Sequence, residues 1–196
     1  LVGLMEKPAG EISISGKGYI PSQPHAAIQN GIFYLPADRK SEGLVLSMSV
    51  LDNATLANLK RYITGGLFSH EKQLSDCEAY QRQLGIKTPS LHTLSRFLSG
   101  GNQQKTMIAR CLNADAKVII FNEPSRGVDV RARVEIYRLI NNLVADGAAV
   151  IIISHEVSEI IGVSDRIFIW KEGRISETLD RSEATKEKVL KLITQS

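Results

Sequence analysis

The stretch Leu98-Ser-Gly-Gly-Asn-Gln-Gln-Lys105 restricts the fold and the function more than any other part of the sequence. Its serine and paired glycines precede a pattern that predicts a helix from Asn102 to Asn113. Glycines let backbone N–H groups approach a ligand closely, Ser99 adds a hydroxyl donor, and a helix N-terminus carries partial positive charge. The stretch therefore predicts a loop that binds the γ-phosphate of a nucleotide. An ordinary Ser-Gly-Gly loop that only caps a helix has the same composition.

A buried strand ending in a carboxylate follows this helix. The apolar run Val118 to Phe121 is typical of a fully buried parallel strand, and Asn122 and Glu123 come directly after it. The carboxyl ends of strands are where open α/β sheets bind ligands. We expect Glu123 to orient or deprotonate an attacking water in phosphoryl transfer, a reaction that depends mainly on positioning and charge neutralisation.

The run Ala149 to Ile153 predicts a second buried strand, and it ends in Ser154 and His155. The imidazole of His155 would lie at the same edge of the sheet as Glu123, within reach of a phosphate oxygen. A single histidine after a strand is also commonly a surface or capping residue.

These segments, in this order, resemble the nucleotide-binding domain of ABC transporters. Leu98–Lys105 resembles the signature motif, Val118–Glu123 the Walker B strand, Ser125–Asp129 the D-loop and His155 the switch histidine. The resemblance implies a P-loop-NTPase-like α/β fold: a parallel core sheet flanked by helices, a small antiparallel β part and a helical subdomain at about residues 48–97.

The resemblance is specific to one group within the ABC transporters. LSGGNQQK, EPSRGVDV and the loop Leu35–Leu46 are similar to the second ATPase domain of the tandem ATP-binding subunits of monosaccharide importers, such as those of the ribose, galactose, xylose and autoinducer-2 type. ATP and Mg²⁺ are the implied ligands. In ABC dimers each ATP lies between the Walker motifs of one domain and the signature of the other, so the signature here would face ATP held by a partner domain, expected to be the N-terminal half of the same subunit. The resemblance implies Glu123 and His155 as catalytic residues. It also implies Asn122 as a weak metal ligand in place of the usual aspartate. The implied nucleotide contacts are Ser99, Gly100, Gly101, Gln103, Asn122 and Asp129.

The Walker A motif G-x-x-x-x-G-K-S/T does not occur in the sequence. The nearest stretch, Gly10 to Lys17, has the wrong spacing, and its alternation instead predicts an exposed strand from Glu11 to Ser15 entering a Gly-Lys-Gly turn. In the resembled family that hairpin follows the P-loop helix, whose tail would be Leu1–Met5. We therefore expect the chain to be a fragment that is truncated at its N-terminus.

Two further positions depart from the family pattern. Asn122 stands where the family has a Walker B aspartate, and an amide lacks the negative charge that Mg²⁺ prefers. Ala37 stands where the family has a Gln or Glu that senses Mg²⁺ and water, and alanine has no ligating atom. We therefore hypothesise a weakened or absent hydrolytic site on this half, beside a competent signature face.

At 196 residues the chain has the length of one domain. Its 24 basic and 21 acidic residues nearly balance, so the charge gives no support to nucleic-acid binding. Cys77 and Cys111 are far apart and outside any metal motif, so we expect buried or idle thiols. No apolar run is long enough to cross a bilayer.

Periodicity predicts the remaining elements. We expect Trp170 to pack on a sheet, and Gly65-Gly66 to separate two helices between about Val50 and Leu94. The other predicted elements are helices at 24–29, 131–146, 156–161 and 182–194, and strands at 31–35, 166–170 and 174–178.

The resemblance implies an importer subunit at the cytoplasmic face of a bacterial membrane, with transmembrane permease subunits and a periplasmic or extracellular sugar-binding protein as partners. Two alternatives remain: a non-transport ABC ATPase, and a non-hydrolysing remnant or regulatory half-site. The sequence leaves the transported solute open among pentose, hexose, autoinducer-2 and nucleoside.

Overall fold

The computed structural model describes residues 1–4 and 10–194. The chain divides into two compact units, Leu1–Ile151 and Ile152–Ser196. Of the predicted helix tail Leu1–Met5, residues 1–4 are not helical and Met5 lies outside the described residues. None of the helices in the described ranges combines the length and apolar character needed to span a bilayer.

The first unit holds a parallel sheet and most of the helices. In chain order its elements are β1 (Ser13–Ile14), β2 (Lys17–Gly18), α1 (Pro24–Gln29), β3 (Ile32–Leu35), a π-helical turn (Arg39–Gly43), α2 (Val50–Thr55), a 3-10 segment (Leu56–Tyr62), β4 (Ile63–Thr64), β5 (Leu67–Phe68), α3 (His70–Leu84), a 3-10 turn (Ser95–Phe97), α4 (Gly100–Asn113), β6 (Val118–Asn122), α5 (Val130–Ala145) and the first residues of β7 (Ala149–Ile153).

The central sheet has the strand order β3-β6-β7. β3 and β6 run parallel, with Ile32 opposite Val118 and Leu35 opposite Phe121. Leu35 and Phe121 are completely buried, because parallel strands are covered on both faces. The predicted strands at 31–35 and 118–121 are thus confirmed, and so is the helix before β6, which begins two residues earlier than predicted.

β7 was predicted to be a buried strand, and the prediction of its burial is wrong. The strand forms at Ala149–Ile153, but exposed and half-buried residues alternate along it, and the side chain of Ile153 is 51% exposed. β7 lies at the edge of the described three-stranded sheet, so it lacks the cover that a central strand has.

The hairpin near the N-terminus differs from its prediction at the turn. β1 and β2 pair antiparallel, with Ile14 opposite Lys17, so Lys17 and Gly18 belong to the second strand and not to a Gly-Lys-Gly turn. The turn is made by Ser15 and Gly16, both of which have positive φ. Two successive residues with positive φ match the right-handed twist of the paired strands.

The helical region at about 48–97 contains a hairpin that periodicity did not predict. The helical segment before them ends at Tyr62, and Gly65 and Gly66 form the turn between β4 and β5 and do not directly separate two helices. α3 then begins after Ser69, whose hydroxyl accepts a hydrogen bond from the backbone of Lys72. The assignment of this region as a subdomain remains a prediction.

The two cysteines are buried, as predicted. Burial raises the pKa of the Cys77 thiol to about 12 and raises that of Cys111 well above its usual value. Both thiols therefore stay protonated and unreactive at neutral pH.

The second unit is described by itself. It contains α6 (Val157–Val163), β8 (Arg166–Lys171), β9 (Arg174–Asp180), a 3-10 turn (Arg181–Glu183) and α7 (Lys186–Thr194), after the last residues of β7. β8 and β9 pair antiparallel, and one face of this ribbon packs in a small core: Ile167, Ile169, Leu179, Ala184 and Val189. Trp170 lies on the other face and is 69% exposed, so its predicted packing on a sheet is wrong within the described chain.

Candidate nucleotide-binding site

Ser99 is the N-cap of α4, and its hydroxyl is held by Asn102. The Ser99 Oγ accepts hydrogen bonds from the Asn102 backbone N–H at 3.5 Å and from the Asn102 side-chain amide at 3.0 Å. The Oδ1 of Asn102 in turn accepts from the backbone N–H of Lys87 at 2.8 Å. Because Ser99 Oγ is the acceptor in both bonds, its own hydrogen is available for donation, and the side chain is exposed.

The two signature glycines allow close packing of α4 on its neighbours. A Cβ atom at Gly100 would lie 2.9 Å from the carbonyl oxygen of Gly127, and one at Gly101 would lie 2.8 Å from the Cβ of Ala132. These distances are shorter than normal van der Waals contacts. The glycines are therefore required for packing against the 125–129 loop and α5, whether or not a ligand approaches their backbone.

Gln103, predicted to contact a nucleotide, is buried with only 3% of its surface exposed. Its side-chain amide donates a hydrogen bond to the carbonyl oxygen of Ser95 at 3.0 Å. The side chain therefore ties α4 to the preceding 3-10 turn. A direct contact between this amide and a ligand does not fit the geometry.

Asn122 and Glu123 lie at the carboxyl end of β6, as predicted. The Asn122 amide nitrogen donates to the Tyr34 hydroxyl at 2.9 Å, which links the ends of β6 and β3. Glu123 is half-buried and has a φ of 51°, in the left-handed region that non-glycine residues rarely adopt. Strained residues of this kind cluster at functional sites, where the surrounding structure imposes them.

Asp129 is the N-cap of α5. Its Oδ1 accepts a hydrogen bond from the backbone N–H of Ala132 at 2.9 Å. This bond is the main reason that the pKa of Asp129 is lowered from its ordinary value. The carboxylate is exposed, so a capping role and a role at an interface are compatible.

His155 belongs to the second unit and lies two residues after the end of β7; its side chain is exposed. Ala37, between β3 and the π-helical turn, is half-buried and offers only a methyl group.

A groove of about 140 Å³ opens beside Ser99. The N-termini of α4 and α5 both reach it, and its walls carry three basic side chains, Lys87, Lys105 and Arg131, together with two acidic ones, Asp129 and Glu135, which offset part of the positive charge. Helix N-termini and basic side chains favour anions. A larger groove of about 610 Å³ lies near the amino ends of β3 and β6, contains none of the predicted site residues and is therefore a weaker candidate.

Lys105 lines this groove and was not predicted as a site residue. Its Nζ lies 2.7 Å from Glu135 Oε2 and donates to the carbonyl oxygen of Gly85 at 3.0 Å, and its side chain is 7% exposed. The pair joins α4 to α5 and to the end of α3. Arg39, also missed, contacts the 125–129 loop; a charged residue in a polar loop gives no local signal that it will be buried.

The residues at the end of β6 do not fit a Mg²⁺ ion well. The Asn122 amide nitrogen is engaged with Tyr34, so this position offers at most a neutral oxygen to a cation that prefers carboxylates. Within residues 1–4 and 10–194, no three His, Cys, Asp or Glu side chains gather into a group that could hold a metal ion.

The fold is that of ATP-binding cassettes. The solved cassette MJ1267 of an ABC transporter superimposes with a TM-score of 0.80, covering 99% of this chain and 80% of that chain at 19% sequence identity. A nucleotide-free ATP-binding cassette from an ABC transporter gives a TM-score of 0.75 over 99% of this chain and 77% of that one, also at 19% identity. At such identities the likeness concerns the fold alone.

Sequence comparison assigns the family. Residues 1–126 match the family model described as ABC transporter, and the chain belongs to this family. It is 43% identical to the ribose import ATP-binding protein RbsA of Clostridium tetani, over 97% of this chain and 38% of that protein. The RbsA protein of Clostridium perfringens (strain SM101) is 45% identical over 98% of this chain and 38% of its own length. The chain thus spans little more than a third of the relatives that it matches.

Proposed function

We propose that this chain is part of the ATP-binding subunit of an ABC importer for simple sugars, as its second nucleotide-binding domain. Two relatives that match nearly the whole chain are named for ribose import. The proposal includes permease subunits as membrane partners, a substrate-binding protein, and a position at the cytoplasmic face of the membrane.

Within that subunit, we propose that the chain supplies the signature face to ATP held by a partner nucleotide-binding domain. The observation that carries this proposal is the environment of Ser99. The residue is exposed and is the N-cap of a 14-residue helix. Its Oγ accepts a hydrogen bond from Asn102, so the hydroxyl hydrogen is available for donation to a ligand. A hydroxyl and helix N–H groups arranged in this way stabilise the charge of a terminal phosphate. Gly100 and Gly101 contribute by letting the helix start pack closely on the 125–129 loop and on α5.

Glu123 and His155 are proposed as the catalytic residues and Asp129 as a contact across the domain interface. Glu123 would orient or deprotonate the attacking water, and His155 would hydrogen-bond a phosphate oxygen. For Gln103 we propose only that it positions the signature loop, because its amide is engaged with Ser95.

A regulatory half-site is the second candidate, and Asn122 favours it. The neutral amide at the end of β6 and the methyl group of Ala37 weaken cation binding on this side. This domain would then serve the partner's ATP while turning over little of its own.

The test uses the complete subunit assembled with its permease and binding protein in proteoliposomes. Ser99→Ala removes one hydrogen bond to a charged phosphate, so ATP turnover and ribose uptake should fall together by about 10- to 100-fold. The affinity of the partner domain for ATP should change by less than about twofold, because other contacts hold the nucleotide. Ser47→Ala, at an exposed position outside the site, is the matched control. Turnover equal to that of the control would refute the signature role.

A further inference from the structure

Arg39 is a buried arginine in the loop that follows β3. It is the first residue of the π-helical turn, and only 9% of its surface is exposed. Asp38, the residue before Arg39, is the N-cap of this turn. Its carboxylate accepts hydrogen bonds from the backbone N–H groups of Lys40 and Ser41. π-Helical turns are rare and frequently occur at functional sites.

The guanidinium of Arg39 binds the backbone of the 125–129 loop. Its Nη1 donates to the carbonyl oxygen of Arg126, and its Nη2 donates to that of Gly127 at 3.2 Å. A planar guanidinium fork suits two successive carbonyl groups, whereas the ammonium of lysine is a point charge. Desolvation by burial lowers the pKa of Arg39 below the usual arginine value. Arginine still remains protonated at neutral pH.

The same guanidinium lies beside the signature loop. Nη2 lies 3.1 Å from where a Cβ of Gly100 would be, and 3.2 Å from where a Cβ of Gly127 would be. The guanidinium therefore lies close to two glycines at which an added Cβ would crowd it. One guanidinium thus sets the spacing between the signature loop and the loop that leads to Asp129.

The other end of the π-helical turn is anchored to the signature helix. Arg110, on α4, donates to the carbonyl oxygen of Gly43 at 2.7 Å and also to the Asn53 backbone oxygen on α2. The 36–43 loop is consequently held at both ends, by Arg39 on one side and by Arg110 on the other. A displacement of this loop would therefore break hydrogen bonds to both the 125–129 loop and α4.

We propose that Arg39 is a positioning residue for ATP hydrolysis, which holds the Arg126-Gly127 backbone against Gly100 and so fixes Ser99 relative to Asp129. This inference rests on the proposed signature function of Ser99. Arg39 acts through backbone groups and touches no reacting atom. Its loss should therefore slow turnover through misplacement of the signature and leave nucleotide affinity unchanged.

The experiment measures kcat and KM for ATP hydrolysis by the complete transporter. We compare wild type with Arg39→Met, Arg39→Lys, Ser99→Ala and the double variant Arg39→Met with Ser99→Ala. Lys40→Met, which removes a charge from an exposed position on the same turn, is the matched control. Arg39→Met should lower kcat about 10-fold with KM changed by less than about twofold. Arg39→Lys should fall in between, because lysine can reach only one of the two carbonyls.

The double variant distinguishes positioning from a general loss of structure. If Arg39 acts through the signature loop, adding Arg39→Met to Ser99→Ala should cause little further loss, less than about threefold. A full multiplicative loss, or an Arg39→Met kcat equal to that of Lys40→Met, overturns the inference. If Arg39→Met does not assemble, Arg39→Lys with and without Ser99→Ala takes its place in the same comparison. A Ser99→Ala variant with normal turnover overturns the proposed signature function and, with it, this inference; reduced turnover in Ser99→Ala alone overturns only the role of Arg39.

Discussion

The side-chain amide of Asn122 donates a hydrogen bond to the hydroxyl of Tyr34 at 2.9 Å, and this bond joins the carboxyl ends of two parallel strands. An aspartate at position 122 could keep the link, because the tyrosine hydroxyl can rotate and donate to a carboxylate. The amide is therefore not required to hold the strands together. Its consequence is electrostatic, since it removes one negative charge from the place where a hard cation would bind.

Asn122→Asp should raise Mg²⁺-dependent ATP turnover in the complete subunit by severalfold, if the missing charge limits hydrolysis on this side. Turnover is measured over a Mg²⁺ titration, with Asn141→Asp as a control that adds the same charge at an exposed position on α5. Equal curves for the two variants would show that the amide is not what weakens this site.

Much of the fold follows from periodicity. The runs at 118–121 and 149–153 are rich in β-branched residues, and the strands form there within one residue of the predicted ends. α1 occupies the predicted range, and Asp129 marks the start of α5 because a carboxylate before an amphipathic stretch is a strong N-cap. These features depend on local chemistry, which the sequence contains.

Features that depend on what packs against a residue were not predictable in the same way. Trp170 and the outer isoleucines of β7 are apolar and were expected inside, but their exposure depends on which strand or helix covers them. Gln103 lies inside a phosphate-binding motif, yet the side of α4 that it occupies faces the protein interior. Arg39 shows the reverse, because it is a charged residue that is buried. Its partners are two carbonyl groups 87 and 88 residues away in the sequence, so no local pattern predicts its burial.

Gly101→Ala should destabilise the protein by about 1–3 kcal/mol, because the new Cβ would lie 2.8 Å from the Cβ of Ala132. Pairing it with Ala132→Gly removes the clash and should recover part of this loss. Gly162→Ala is the control, since nothing lies within 4 Å of its Cβ position and alanine favours helix. Urea denaturation of wild type and these three variants measures the effect. A Gly101→Ala protein as stable as wild type would contradict the packing role of this glycine.

Arg110→Met should be among the most damaging single changes, at about 3–5 kcal/mol. The guanidinium donates to Gly43 O, Asn53 O and Asn53 Oδ1, each at 2.7 Å, so methionine leaves buried oxygens without these donors. Arg82→Met removes the same charge from an exposed ion pair with Glu78 and should cost about 0.5 kcal/mol or less. Thermal unfolding of both variants provides the comparison. Similar midpoints for the two would argue against a structural network centred on Arg110.

Glu135 should make a contribution to stability that disappears in acid. The hydrogen bond from Lys105, together with its charge, lowers the pKa of Glu135 below the ordinary value of 4.5. A carboxyl whose pKa is lower in the folded state stabilises the fold at pH values above its unfolded pKa, and this stabilisation is lost as the pH falls through the folded pKa. The melting temperature of wild type should therefore exceed that of Glu135→Gln at pH 7, and the difference should shrink below about pH 4.5.

Glu78→Gln is the control, because its partner Arg82 is exposed and 3.9 Å away, and its difference from wild type should be small at every pH. A Glu135→Gln difference that stays constant from pH 7 to pH 3 would mean that the 2.7 Å contact with Lys105 does not stabilise the folded state through its charge.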